Sequence, residues 1–447
     1  MLSRRRFLGY VGTGMLALTS GCRPDNLDWT PAPGAKGAPP FLADKIKRVG
    51  QKDLLLGYPI NMNTPPDEFF AWRKQLSETG MGTFAFNNVG NPFKDAAIPF
   101  NSHDFEREVI LRFGKLLAFS AQDIWGFLSH SGTDSNMHGM YMGRTILKGR
   151  TGVMPKAYFT NEAHYSIQIL RDLLGLETVL VNTQPDGGMD PEDLKQKLVA
   201  NANYPALVVA TVGTTFKGAV DRIDLIQDVL KGHPSYLHLD AALFGGYLPH
   251  TSFADEVLQR NPSNPKFQRY DSIAISCHKF FGFPSPAGLF ITQESLFNEF
   301  SEWFAQVHNP EYIHHVPGTI TCSRDAVKPA EFYFFSTPTA MAKQAEDAKA
   351  MLQNTTFLKE EMQSHFAHLQ PIRSNELSNT VYFRKPGDWI VEKYSLATMH
   401  LQGQHYAHVL VMPHVTRKII AEFLTDLQND STKQTKTTAS TPITLLI

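Results

Sequence analysis

Lys279 closes the segment Ser276-Cys277-His278-Lys279, directly after the apolar run Ser272 to Ile275 and ahead of Phe280, Phe281 and Phe283. A lysine at the end of a buried strand, among phenylalanines, is costly unless its charge is used or shed. Desolvation lowers the ammonium pKa and leaves an amine that attacks aldehydes. An isolated lysine also snorkels readily to solvent, so a second group is needed to decide between the two.

Asp240 is that group. It ends the run Tyr236-Leu237-His238-Leu239-Asp240 and precedes Ala241 and Ala242, whose small side chains leave room for a flat ligand. Pyridoxal 5'-phosphate needs a carboxylate beside its ring nitrogen, because the protonated ring is the electron sink of its chemistry. By itself Asp240 could equally cap a helix.

Ser131-Gly132-Thr133-Asp134-Ser135-Asn136 opens the helical pattern Met137 to Ile146. Small hydroxylated residues at a helix start expose backbone N–H groups where the helix dipole favours an anion, which makes a seat for a phosphate as well as an ordinary N-cap. His164, in Asn161-Glu162-Ala163-His164, could stack on a pyridine ring or serve a structural role. Thr214-Thr215 end another strand and could reach the cofactor's phenolic oxygen or simply make a turn.

Strands and helices must bring these loops together. Strands are predicted at Trp125 to Ser129, Lys156 to Tyr158, Glu177 to Val181, Ala206 to Thr211, Tyr236 to Asp240 and Ser272 to Ser276. Amphipathic helices are predicted between them, among them His164 to Leu174, Pro191 to Ala200 and Arg222 to Leu230. The alternation predicts an α/β fold with a mostly parallel sheet and ligands at the carboxyl ends of its strands. Beyond Phe300 the rhythm changes to a long helical stretch, Glu331 to His365, strands at Thr380 to Phe383 and Tyr406 to Val411, and a helix over Thr416 to Leu427. This reads as a smaller α+β domain.

The 447 residues, 42% of them hydrophobic, can bury a large core, which excludes a small disulfide scaffold. With 42 basic against 43 acidic residues there is no field to favour nucleic acid. The three cysteines, Cys22, Cys277 and Cys322, have no metal-binding spacing, and no metal is expected.

The N-terminus carries a targeting pattern: Ser3-Arg4-Arg5-Arg6-Phe7-Leu8, a modestly apolar stretch from Gly9 to Thr19, then Ser20-Gly21-Cys22. It resembles a bacterial twin-arginine export signal ending in a lipoprotein processing site, although Thr19 stands where a branched apolar residue is preferred. The expectation is export to the periplasm or cell envelope, with membrane contact only through a lipid on Cys22; an N-terminus without an address is the alternative. The predicted organisation is an export signal over 1–22, a linker and N-terminal arm over 23–55, a cofactor-binding large domain over 56–300, a small C-terminal domain over 301–428 and a flexible tail over 429–447.

Taken together, the segments resemble the fold-type I pyridoxal-phosphate decarboxylases of group II, and within them the bacterial histidine decarboxylases and the similar plant serine decarboxylases. The resemblance rests on Asp104 to Val109, Ser131 to Asn136, the His164 loop, Gln184-Pro185-Asp186-Gly187, Gly213-Thr214-Thr215, His238 to Ala242, and His278-Lys279 with Gly282 and Pro284. It implies that Lys279 binds the cofactor covalently, Asp240 pairs with the ring nitrogen and His164 stacks on the ring and touches substrate. Ser131, Gly132, Thr133, Ser276 and His278 would surround the phosphate, Thr215 would lie near the phenolic oxygen, and Ala242 would line the ring site.

The resemblance also implies an obligate homodimer in which Gly318 to Arg324 crosses to the partner's site. Asp134 replaces a usual glutamate there, and Cys322 a usual glycine, which matters if that position needs positive φ. The expected reaction is α-decarboxylation of an amino acid, with L-histidine giving histamine favoured over serine, aspartate or an aromatic amino acid, and with a catalytically silent binding protein as the alternative of a different class. Asn87, Asn88, Asn91, Asn101 and His103 are candidates to meet an imidazole at the substrate entrance. Arg384, as a carboxylate clamp, would argue for aminotransferase chemistry instead.

Overall fold

The computed structural model describes residues 40–258 and 270–439, so the segment expected to be an export signal, with Cys22, lies outside the described residues. The chain divides into two compact units after Lys52. In the first, Pro40–Val49 is helical, within the stretch expected to be linker and arm.

The second unit is organised by a seven-stranded sheet. Its strands are β1 (Trp125–Ser129), β2 (Lys156–Thr160), β3 (Glu177–Val181), β4 (Ala206–Thr211), β5 (Ser235–Asp240), β6 (Ser272–Ser276) and β7 (Gly288–Thr292). Their spatial order is β1-β7-β6-β5-β4-β2-β3. From β3 through β6 every pairing is parallel, whereas β7 runs antiparallel to both β6 and β1. The mostly parallel sheet is therefore as the sequence predicts, with one reversed strand added.

Each central strand feeds two cores. In β4, Leu207 and Val209 join one apolar cluster while Val208 and Ala210 join the other, the period-two alternation of a sheet covered on both faces. On one face lies the helix Gly132–Thr151, held close by Gly139 and Gly143, where a Cβ would run into the rings of His238 and Tyr236. Trp125 stacks on Phe297 at 3.6 Å between ring centroids, and burial of side chains of this size contributes about 1.5–3 kcal/mol each.

A three-stranded antiparallel sheet follows, β8 (Thr380–Arg384), β9 (Ala397–Leu401) and β10 (Gln404–Leu410), in the order β8-β10-β9. The expected long helix from Glu331 is broken into Val327–Phe332, a tight turn over Tyr333–Ser336, and Pro338–His365. Pro338 is the cause: it forces Thr337 into extended backbone, and the Thr337 hydroxyl then caps the new helix. The closing helix Arg417–Ala439 runs past residue 429, where the tail was expected to begin.

Candidate active site

Six of the seven strands, all but β7, end on one side of the sheet, and the loops after β1, β2, β4, β5 and β6 bring polar residues together there. Between them lies a cavity of about 230 Å³ lined by Ser131, Gly132, Thr133, His164, Asp240, Ala242, Ser276, His278 and Lys279. Nine of the ten site residues named from the sequence therefore meet in one place. Thr215 does not line this cavity and is exposed; Thr211 and Gly213 line it instead. Gly213 sits at φ 100°, which turns the chain inward and leaves Thr215 outside, while Thr214 is spent on the Ala219 N–H.

Lys279 follows β6, and loss of solvation lowers its ammonium pKa, an effect that the Asp240 carboxylate opposes. Asp240 ends β5 almost wholly buried and accepts the Ala242 N–H at 3.2 Å. Lys279 and Asp240 thus face one cavity from neighbouring strands, the carboxylate being ready for a protonated ring nitrogen.

His164 precedes the helix Tyr165–Leu173 as its N-cap. Its Nδ1 accepts the Ser166 N–H at 3.3 Å and lies 2.8 Å from Ser166 Oγ, which places the ring proton on Nε2. Burial lowers the pKa of the imidazole, so the ring is neutral near pH 7, as stacking on a cationic pyridine requires.

At the other end of the cavity, Ser131 caps the helix by accepting the Asp134 N–H at 3.2 Å, and its carbonyl takes the Ser135 N–H. Among the described residues the Gly132 and Thr133 N–H groups meet no acceptor, and they are the two amides that a helix start leaves to an anion. A Cβ at Gly132 would collide with Ser276 Oγ and press on Ala242, so only glycine allows this close approach. His278 adds a buried Nδ1 without a partner. Two unspent amides, an orphan imidazole nitrogen, a buried carboxylate and a desolvated amine fit pyridoxal phosphate in size and in polarity.

Asn136, Ser166, Leu243 and Pro286 also line the cavity and were not singled out from the sequence. Asn136 and Ser166 stand inside the motifs already identified and could have been found there; nothing in the sequence flagged Pro286. Arg384 is exposed at the end of β8 and does not line the cavity, which removes it as a carboxylate clamp here.

The neighbouring segments bear on three of the expectations. Cys322 is not at positive φ; Gly318 is, at 72°, so the glycine usual at 322 is not demanded by the backbone. The Asp134 carboxylate, though shorter than a glutamate, accepts the His130 N–H at 2.9 Å and the Thr321 hydroxyl at 3.1 Å. Asn88 and Asn91 are not available to substrate: Asn88 donates to Glu106 and Ser102, and Asn91 accepts the Trp125 indole N–H. None of Asn87, Asn88, Asn91, Asn101 or His103 lines the Lys279 cavity.

A family description, the pyridoxal-dependent decarboxylase conserved domain, matches residues 110–364. A histidine decarboxylase of Solanum lycopersicum is 31% identical over 388 residues, covering 85% of this chain and 86% of the relative. Serine decarboxylase 1 of Oryza sativa subsp. japonica is 32% identical over 377 residues, 83% of this chain and 71% of the relative. Among solved structures, L-methionine decarboxylase from Streptomyces sp.590 superposes with a TM-score of 0.72 at 22% identity, over 87% of this chain and 93% of that one, and shares the fold.

When bound, pyridoxal phosphate supplies the electron sink that accepts the pair left behind as CO2 departs. The chain's own residues would do the rest. Lys279 offers an amine stripped of water, Asp240 holds a proton at the ring nitrogen, the helix start and His278 fix the phosphate, and His164 orients the ring. Fold, site and relatives agree: this chain belongs to the pyridoxal-dependent decarboxylases and is a carboxy-lyase acting on an amino acid.

Proposed function

We propose that the amino acid is L-histidine, decarboxylated to histamine. The observation that carries this reading is the 31% identity to a histidine decarboxylase across most of both chains, together with a match of 31% over 345 residues to the histidine decarboxylase of Pseudomonas fluorescens. Serine is the second reading, favoured by the rice relative. A panel of amino acids scored for CO2 release tests both. Histidine is expected to exceed serine, aspartate and tyrosine in kcat/KM, by up to ~10⁴-fold where a buried partner would otherwise stay unpaired. Equal turnover of serine, or none of histidine, overturns the histamine reading.

The chain is further inferred to work as a homodimer. A groove of about 930 Å³ is lined by Leu173, Val307, Tyr312, Thr319, Ile320, Cys322 and Ser323, and Val307 and Tyr312 are each about three-quarters exposed. A second copy seated there would cover this apolar surface with the segment that the resemblance assigns to the partner's site. Sedimentation of the loaded enzyme at a monomer mass would reject the dimer.

Export through the twin-arginine route is the third element of the proposal, supported by Arg4, Arg5 and Arg6 ahead of the stretch to Cys22. Such a route carries folded protein, in keeping with a cofactor acquired before transport. Arg4→Lys combined with Arg5→Lys is expected to leave active enzyme inside the cell; arrival at the envelope regardless would rule the signal out.

A further inference from the structure

The chain from Leu55 to Asn63 is a strap fastened at several points. Leu56 donates its N–H to the Tyr394 carbonyl at 3.1 Å and accepts the Leu410 N–H at 2.7 Å. His408 Nε2 lies 3.1 Å from the Gly57 carbonyl. His414 Nδ1 accepts the Met62 N–H at 3.2 Å, and its Nε2 stands 3.2 Å from the Leu55 carbonyl. At Gly57 the strap lies so close to the backbone of Ser395 to Ala397 that a Cβ would collide with it.

The far end of the strap reaches the lysine turn. The Asn61 main-chain N–H donates to the Lys279 carbonyl at 3.2 Å, and its side-chain Nδ2 donates to the Phe280 carbonyl at 2.9 Å. Two consecutive carbonyls of the turn are thus held by one residue from a distant stretch of chain. The turn's own bonds are long: Gly282 N–H to the Lys279 carbonyl is 3.3 Å, and Phe283 N–H to the Cys277 carbonyl is 3.4 Å. Gly282 sits at φ 69°, and a Cβ there would come within 3.0 Å of Asn61 Nδ2, so the contact is close on both sides.

We propose that Asn61 is a positioning residue for Lys279, clamping the lysine turn from outside so that the amine stays at its desolvated place opposite Asp240. Asn61 does not line the cavity and acts only through the backbone of the turn. The proposal rests on the assignment of Lys279 as the residue that binds the cofactor. With the clamp removed, the turn relaxes, Lys279 regains solvation and its pKa moves back towards that of an ordinary lysine.

The test measures capture of pyridoxal phosphate by the cofactor-stripped protein as a function of pH. Asn61→Leu keeps the size, removes the side-chain half of the clamp on the Phe280 carbonyl while leaving the main-chain bond to Lys279, and introduces no charge that would itself shift the lysine. Its capture midpoint is expected to rise by about one pH unit, which is about tenfold slower capture at neutral pH, with thermal stability nearly unchanged. Asn61→Ala, a smaller truncation, should move the midpoint the same way and serves if the first variant does not fold. A lowered melting temperature with an unmoved midpoint would make Asn61 merely structural and overturn the proposal. Borohydride fixation in the wild type separates the two failures. Fixation elsewhere than Lys279 removes the premise; fixation at Lys279 with unmoved midpoints removes the proposal alone.

Discussion

Arg324 Nη2 lies 2.8 Å from Glu106 Oε2, and both side chains are closed to solvent. The same carboxylate accepts the Leu128 N–H of β1, and the same guanidinium donates to the Gly90 carbonyl and to Thr319. One ion pair therefore ties the sheet to the segment Gly318 to Arg324. Breaking a buried pair leaves one charge without a partner, so Arg324→Met is expected to cost about 3–5 kcal/mol in denaturant unfolding. A loss under about 1 kcal/mol would mean that the pair is replaceable by packing.

Lys279→Ala should fold normally and lose the borohydride-fixed adduct. Asp240→Asn should retain cofactor but slow turnover by roughly 10²-fold or more, the scale of losing a preorganised electrostatic partner. Borohydride reduction followed by mass spectrometry checks the first, and single-turnover kinetics on the loaded Asp240→Asn variant checks the second. Wild-type rates in Asp240→Asn would reduce that residue to a structural cap.

Ser131→Ala removes the helix cap and should cost about 1 kcal/mol of stability. Because the Ser131 hydroxyl also lines the cavity beside the anion seat, affinity should fall for pyridoxal phosphate and not for pyridoxal, which lacks the phosphate. Equal losses for the two ligands, read by direct titration, would place the phosphate elsewhere.

Burial pushes His103 and His238 down to about 4 and His138 down to about 3. Their folded pKa values lie below the unfolded value of about 6.5, so the stability they contribute is present above pH 6.5 and is lost as pH falls towards 4 and below. Asp221 and Asp271, raised by burial to about 6, act in the opposite sense between pH 6 and 4. The difference between two proteins isolates one histidine. His138 has no hydrogen-bond partner on either nitrogen and packs edge-on to Phe127 and Phe290. His138→Phe should therefore match the wild type at pH 7 or exceed it, and lose less melting temperature on acidification to pH 4.5. Parallel pH curves for the two would exclude His138 as a source of acid lability.

Much of the site was legible because its chemistry sits in contiguous motifs at strand ends. Lys279 next to β6 and Asp240 at the tip of β5 need only the parallel order of the sheet to meet. Thr215 was misplaced because its neighbour Thr214 has the same side chain, and only the turn at Gly213 decides which of the two faces inward. Strand β7 was missed, since a five-residue run after Pro284 and Pro286 shows no period to distinguish it from loop. Asn61 was invisible for a different reason: its role depends on which distant carbonyls it meets, and a single chain does not record that. The asparagines near residue 90 read as polar and available, yet Glu106 and Ser102 hold Asn88 and the Trp125 indole holds Asn91.

The reversed strand β7 also governs when the sheet can be finished. Among the described residues, Trp125 to Ser129 finds its sheet partner only in Gly288–Thr292, which in turn joins it to β6. During synthesis at about 5–20 residues per second, the run Trp-Gly-Phe-Leu-Ser leaves the ribosome roughly ten to thirty seconds before the strand that covers its edge. For that interval it is an unpaired apolar β-segment, the kind that recruits chaperones or sticks to other nascent chains. Slower elongation between Ser129 and Gly288 would lengthen that exposure, so the yield of soluble enzyme should depend on codon choice in that stretch more than in the stretch that follows Thr292.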